Sequence, residues 1–294
     1  MTRRLKLMTG LSTLAAVSAL SLAGCGGEGD TEGEGEAGHD STHAAGESEA
    51  GATAAGESEG GESEGGESEG GESEGGESEG GESEGEALTG DPASSDIAYL
   101  HLLGLARGHL IAFHELYGSG SIDMALMHVK HPESELYASL APAFDARKKP
   151  GMAQELRDLA AAADARGEIE PGYEAVVRAL DAHAPDTSVA NVLLAVSKIV
   201  RTAADEYDIG VEDDGLITNA HEYQDAYGFL IASREILAGV KTNDMNATEA
   251  INLAQEQIDV ALTAFDGLTA EKTEGAASTL YGAAARIEIA GRGL

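Results

Sequence analysis

Five histidines, His101, His109, His114, His128 and His131, fall within one stretch of 31 residues, and beyond residue 43 only His183 and His221 join them. Imidazole is the commonest side-chain ligand for transition metals, so a run this dense is where such a site would be sought. His109, His128 and His131 are the first candidates. Met124, His128 and His131 stand at i, i+4 and i+7, and a helix would place them on one face with Met127 beside them. Thioether with imidazole suits copper, whereas imidazole also suits zinc, iron and haem iron. Glu115 and Glu135 can add carboxylates. Against this stands the ordinary use of such residues, histidine as filler on a helix and methionine at helical spacing as packing.

Support for catalysis is thin. Beyond residue 92 there is no Gly-x-Ser-x-Gly elbow, no phosphate loop and no dinucleotide fingerprint. No His-Glu-x-x-His occurs, and beyond residue 92 no Glu-x-x-His, which argues against zincin and ferritin-type di-iron chemistry. The expectation is a protein that binds rather than an enzyme.

The elements that must position these residues read as helices. Residues 93–294 are rich in Ala and Leu at helical spacing, with no Trp and no alternating β-branched runs. The fold class expected is all-α, a bundle of about eight or nine helices. Stop and start signals predict helices at about 95–117, 121–130, from Pro132 onward, then at 151–166, 171–183, 187–207, 215–238, 247–266 and 270–290.

This part also repeats itself at an offset of 120 to 121 residues. Ala106-Arg-Gly-His-Leu-Ile-Ala-Phe-His-Glu115 aligns with Ala226-Tyr-Gly-Phe-Leu-Ile-Ala-Ser-Arg-Glu235, His101 with His221, and Ala143-Phe144-Asp145 with Ala264-Phe265-Asp266. Two related halves, about 96–167 and 216–290, are therefore expected. His101, Gly108 and Glu115 share one helical stripe, as do His221, Gly228 and Glu235, and glycine there would let two helices approach closely. An antiparallel crossing at Gly108 and Gly228 would bring His101 near Glu235 and His221 near Glu115. His101, His221, Glu135 and Glu235 are accordingly secondary candidates. The second copy replaces His109, His128 and His131 with Phe229, Glu249 and Asn252, so a site would belong to one copy only.

The first 92 residues differ in kind. Met1 to Lys6 carries three positive charges, an apolar run extends from Leu7 to Leu22, and small residues follow, the three regions of a secretory signal. Leu22-Ala23-Gly24-Cys25 resembles the lipobox of bacterial lipoproteins. That resemblance implies cleavage after residue 24, a lipidated Cys25 and anchoring to a membrane by acyl chains. With Gly26 rather than Asp next to the cysteine, the same resemblance favours an outer-membrane lipoprotein facing the periplasm or the cell surface. Cys25 is the only cysteine, so no internal disulfide can form.

Residues 26–91 hold 22 acidic residues and no Lys or Arg, and Gly-Glu-Ser-Glu-Gly runs six times from Gly56 to Gly85. Such a segment buries too little to offset its ordering entropy, so 25–92 is expected to be a disordered, self-repelling tether. A formal charge of −35 makes a nucleic-acid partner implausible.

An exported helical domain of two related bundles with a His/Glu cluster on its first helix is similar in architecture to the imelysin-type periplasmic proteins of iron uptake. The motif Gly-x-His-x-x-Glu of that family is absent around Gly108, so no residue role transfers. Together these features point to an envelope lipoprotein that binds copper, zinc, iron or haem for capture or hand-over beside an envelope transport protein. The rival is a non-catalytic adaptor whose acidic helical domain docks on another envelope protein.

Overall fold

The computed structural model describes residues 90–294, so the signal peptide assigned to 1–24, the lipidation at Cys25 and the tether up to residue 89 lie outside the described residues. Asp91 accepts the Ala93 N–H through Oδ1 and the Ser94 and Ser95 N–H groups through its carbonyl, while the Pro92 carbonyl accepts from Arg147 Nε.

The described residues form nine α-helices and one π-helical turn, with only two isolated β-bridges. In order they are α1 (Asp96–Gly118), α2 (Ile122–His128), the π turn (Pro132–Leu136), α3 (Tyr137–Ala146), α4 (Ala153–Asp164), α5 (Glu170–His183), α6 (Val189–Gly210), α7 (Ala220–Gly239), α8 (Met245–Leu262) and α9 (Ala277–Arg292). The protein is all-α, a helical bundle. No helix among the described residues is long and apolar enough to cross a membrane.

Capping explains several starts. Ser95 accepts the Ala98 N–H, Ser188 the Asn191 N–H and Asp244 the Ala247 N–H, each satisfying one orphan donor of a first turn. Two predicted starts prove too early. α7 begins at Ala220 rather than about 215, because Asp213-Asp214-Gly215 turns the chain and Val211 bridges Ile217. Gly215 has φ +80°, and a Cβ there would stand 2.2 Å from the Thr273 carbonyl oxygen, so the turn requires glycine. α9 begins at Ala277 rather than about 270, because the preceding loop is pinned by Thr273 Oγ1 donating to the Ala264 carbonyl.

α6 packs on α7 and α9, and α8 packs on α9 and α7, making a four-helix bundle; α1 lies across α6 and α7. α1 is buried on nearly every side, which is why its sequence is apolar all round instead of amphipathic. It crosses α7 where Gly108 faces Gly228: a Cβ on Gly108 would stand 3.0 Å from the Gly228 carbonyl carbon, and one on Gly228 2.9 Å from that of Gly108. Gly104 near Ile236 and His109 near Asp225 show that the two helices run antiparallel.

At the 120-residue offset, α1 corresponds to α7. The stretch from 122 to 146 corresponds to the single helix α8, but in the first copy it is broken into α2, the π turn and α3. Pro132 sits at the break, where a proline cannot donate to a continuing helix. The interruption lies between His128 and Glu135 and carries both over the N-terminal half of α7.

Candidate metal centre

Asp225, on α7, is the hub. Its side chain is 1% exposed and its Oδ1 accepts from His109 Nδ1 at 2.6 Å and from His128 Nδ1 at 2.8 Å. Oδ2 faces His221 Nε2, one helical turn earlier on the same helix, at 3.6 Å. His131 packs its ring against those of His109 and His221, with centroids 5.0 and 4.4 Å apart, and its Nδ1 lies 3.4 Å from Glu135 Oε2. Glu222 Oε1 is 3.8 Å from His221 Nδ1. Four imidazoles from α1, α2, the α2–π junction and α7 therefore surround one buried carboxylate. Burial grades the site: His109, His128 and Asp225 are closed off, while His131, His221, Glu222 and Glu135 form its partly open side.

Gln224 fixes part of the hydrogen-bond pattern. Its amide Nε2 donates to the Leu268 carbonyl at 2.9 Å and to Met124 Sδ at 3.4 Å, so its Oε1 must be the atom facing His128. Oε1 can only accept, and therefore His128 Nε2 carries a proton across that 2.8 Å contact. The remaining nitrogen, Nδ1, points at the Asp225 carboxylate and needs a cation there, a second proton or a metal ion.

The electrostatics favour the ligating forms of Asp225 and His131 and the protonated form of His221. Burial is the largest influence on Asp225 and opposes its charge, but the His109 and His128 rings outweigh it and hold the carboxyl well below the usual carboxylate range. Burial, helped by His109, pushes His131 down to about 3 against the pull of Asp225, so this imidazole is neutral at pH 7 with a free lone pair. For His221 burial again lowers the value, yet the Glu222 contact and the Asp225 charge raise it overall. The His221 contact in turn lowers Glu222.

Three buried polar atoms at the centre lack a hydrogen-bond partner: His131 Nδ1, His221 Nε2 and Asp225 Oδ2. A buried polar atom without a partner costs about 1–3 kcal/mol, and three on neighbouring side chains call for a shared partner. Three sets of donors have ligand atoms all within 4.8 Å of one another: His109–His131–Glu135, His109–His128–Asp225 and His131–His221–Asp225.

The structure thus brings together His109, His128 and His131 with Glu135 and His221, all singled out from sequence. It does not bring in the others. Glu115 is exposed, six residues and about one and two-thirds turns past His109, and it faces Tyr227 instead. Glu235 is exposed and pairs with Arg107. His101, expected near Glu235, lies buried on the α6 side, where its Nε2 bonds Thr202 Oγ1 at 3.1 Å. His221 meets Asp225 and Glu222, not Glu115. Met124 borders the site, but its sulfur accepts the Gln224 amide and is spent as a support for His128. Asp225, Gln224 and Glu222 were missed; the signal that could have found Asp225 is its i, i+4 spacing from His221 on a helix.

Residues 182–289 match the iron permease-associated 4-helix bundle domain. The matched span runs from the end of α5 into α9 and so takes in the whole four-helix bundle. It covers just over a third of the chain and says what this bundle is similar to. His221, Glu222, Gln224 and Asp225 fall within it; His109, His128, His131 and Glu135 lie outside it, on the helices that cover it. No curated protein and no solved structure matches the chain.

Proposed function

We propose that this protein captures a first-row transition-metal ion, iron foremost, at the histidine–aspartate cluster and passes it to an iron transport system without chemical conversion. The observation that carries the reading is the convergence of His131 Nδ1, His221 Nε2 and Asp225 Oδ2 in the interior, where they make only ion-pair contacts of 3.4–3.6 Å and no hydrogen bond. The donors are imidazole and carboxylate, which suit iron, manganese and zinc; with no thiolate at hand and the Met124 sulfur engaged, copper(I) has no soft ligands here. The match to an iron permease-associated bundle supports iron within that group. Haem fits poorly, since the His128–His221 and His131–His221 ring centroids are 4.5 and 4.4 Å apart and leave no slot for a macrocycle between them. Export, the acyl anchor on Cys25 and the acidic tether supply the setting: a lipoprotein of the bacterial envelope whose reach is set by the spacer.

The test is equilibrium binding of ferrous iron under argon, with manganese, zinc and copper(I) in parallel, to the intact chain. Sub-micromolar ferrous iron binding is expected, and His128→Ala should weaken it by at least about tenfold with the helical signal retained. A protein that binds none of these ions more tightly than its His128→Ala variant would favour the adaptor reading, with the histidines as an internal ion-pair network.

A further inference from the structure

The cluster is larger than one ion can use. Donors to a single first-row ion lie no further apart than twice the bond length, about 4.2 Å for bonds of about 2.1 Å. Here the donor sets stop at three residues each, and two of them, His109–His128–Asp225 and His131–His221–Asp225, share nothing except the carboxylate. They also meet it at different atoms. His109 and His128 present Nδ1 to Oδ1, whereas His221 presents Nε2 to Oδ2. A carboxylate whose Oδ1 meets two imidazoles and whose Oδ2 meets a third, with His131 in the same donor set as that third, has the form of a bridge.

Resting on the reading of this cluster as a metal site, we propose that it takes two divalent transition-metal ions bridged by Asp225. The inner ion lies between Asp225 Oδ1 and the Nδ1 atoms of His109 and His128, displacing the protons those contacts now hold. The outer ion lies between Asp225 Oδ2, His131 and His221, on the side where Glu135 and Glu222 stand. Charge agrees with this division: two ions bring four positive charges to a pocket that has three carboxylates, Asp225, Glu135 and Glu222, and four imidazoles. It also gives the two ions different access. The outer position borders partly exposed side chains, with His131 22% and Glu135 34% exposed, while the inner one is sealed behind it. The outer ion is therefore the one that loads last and leaves first.

Manganese(II) serves as the probe, since pairs of ions about 3.5–4 Å apart give an exchange-coupled resonance distinct from that of isolated ions. The intact protein is loaded, passed through gel filtration, and its retained metal counted beside that of His221→Ala and His128→Ala; ions held by the Gly-Glu-Ser-Glu repeats are common to all three and subtract out. Two cluster ions with a coupled signal are expected in the natural protein, and one uncoupled ion in His221→Ala. A single cluster ion, or two without coupling, overturns the bridged pair and leaves the capture reading standing. No difference in retained metal among the three proteins overturns both.

Discussion

Replacing Gly228 by alanine perturbs the one contact on which the cluster's assembly depends. An added Cβ would stand 2.9 Å from the Gly108 carbonyl carbon and closer still to its oxygen, against about 3.4 Å for ordinary contact. The obstructing atoms are backbone of a buried helix, the nearest being the Gly108 carbonyl oxygen at 2.3 Å, so no side chain can swing away and α1 must lift from α7 by about 1 Å. Overpacking of this kind costs about 1–3 kcal/mol. In a domain of this size each kcal/mol lowers Tm by about 2–4 °C. The same displacement stretches the 2.6 Å bond from His109 to Asp225, which spans that crossing. Thermal melting and metal binding should therefore both suffer, in one variant that alters no ligand. Gly118→Ala is the control: a Cβ there meets nothing within 4 Å, and the gain in helix propensity makes it neutral or stabilising by up to about 1 kcal/mol. A Gly228→Ala protein that melts and binds like the natural one would refute the close crossing and the positioning argument built on it.

Gln224→Leu should weaken metal binding by about 10–100-fold, as loss of an outer hydrogen bond to a ligating histidine does, with nitrogen NMR of the metal-loaded protein showing the His128 Nε2 proton shifted for want of its acceptor; unchanged affinity and Nε2 signal would remove Gln224 from the site. His101 predicts an acid effect away from the metal. Burial, with Lys198 nearby, pushes it down to about 4, so between pH 4 and 6.5 the unfolded chain binds more protons than the folded one and stability falls as pH falls. His101→Phe should flatten that limb of the stability curve, by no more than about 3 kcal/mol across the window, and identical limbs in chemical denaturation would count against its buried neutral state. Cys25→Ser should release the protein from the envelope fraction of the native cell, and a variant that stays there would argue against acyl anchoring.

Much of this was legible because helices advertise their ends and their faces. Gly118 and Gly239 end helices where expected, α4 stops at Asp164 with Arg166 rather than Gly167 in the left-handed conformation, and His109, His128 and His131, crowded in sequence, do come together in the fold. The partners were harder to see. Asp225 is 94 residues from His131, and the packing of α1 and α2 on α7 makes them neighbours, so no local pattern announces the carboxylate. Glu115 was attractive because it shares a stripe with His101 and Gly108, yet that stripe meets α7 at a level where α7 offers Tyr227. Met124 shares a face with His128 as the spacing requires, but a glutamine amide from another helix claims its sulfur, and spacing along one helix cannot reveal that. The late starts of α7 and α9 follow from contacts between loops far apart in sequence, Leu216 with Lys272 and Gly215 with Thr273, which override local helix propensity.

The most direct test is an anomalous difference map from crystals of the protein soaked in ferrous iron without oxygen. Density is expected at Asp225, within about 2.3 Å of its carboxylate and of imidazole nitrogens of His109, His128, His131 or His221, with the Nδ1 atoms of His109 and His128 turned from proton donors into ligands. Iron confined to surface carboxylates, with both nitrogens still donating to Asp225 Oδ1 and Gln224 still bonded to His128, would contradict the metal-centre reading.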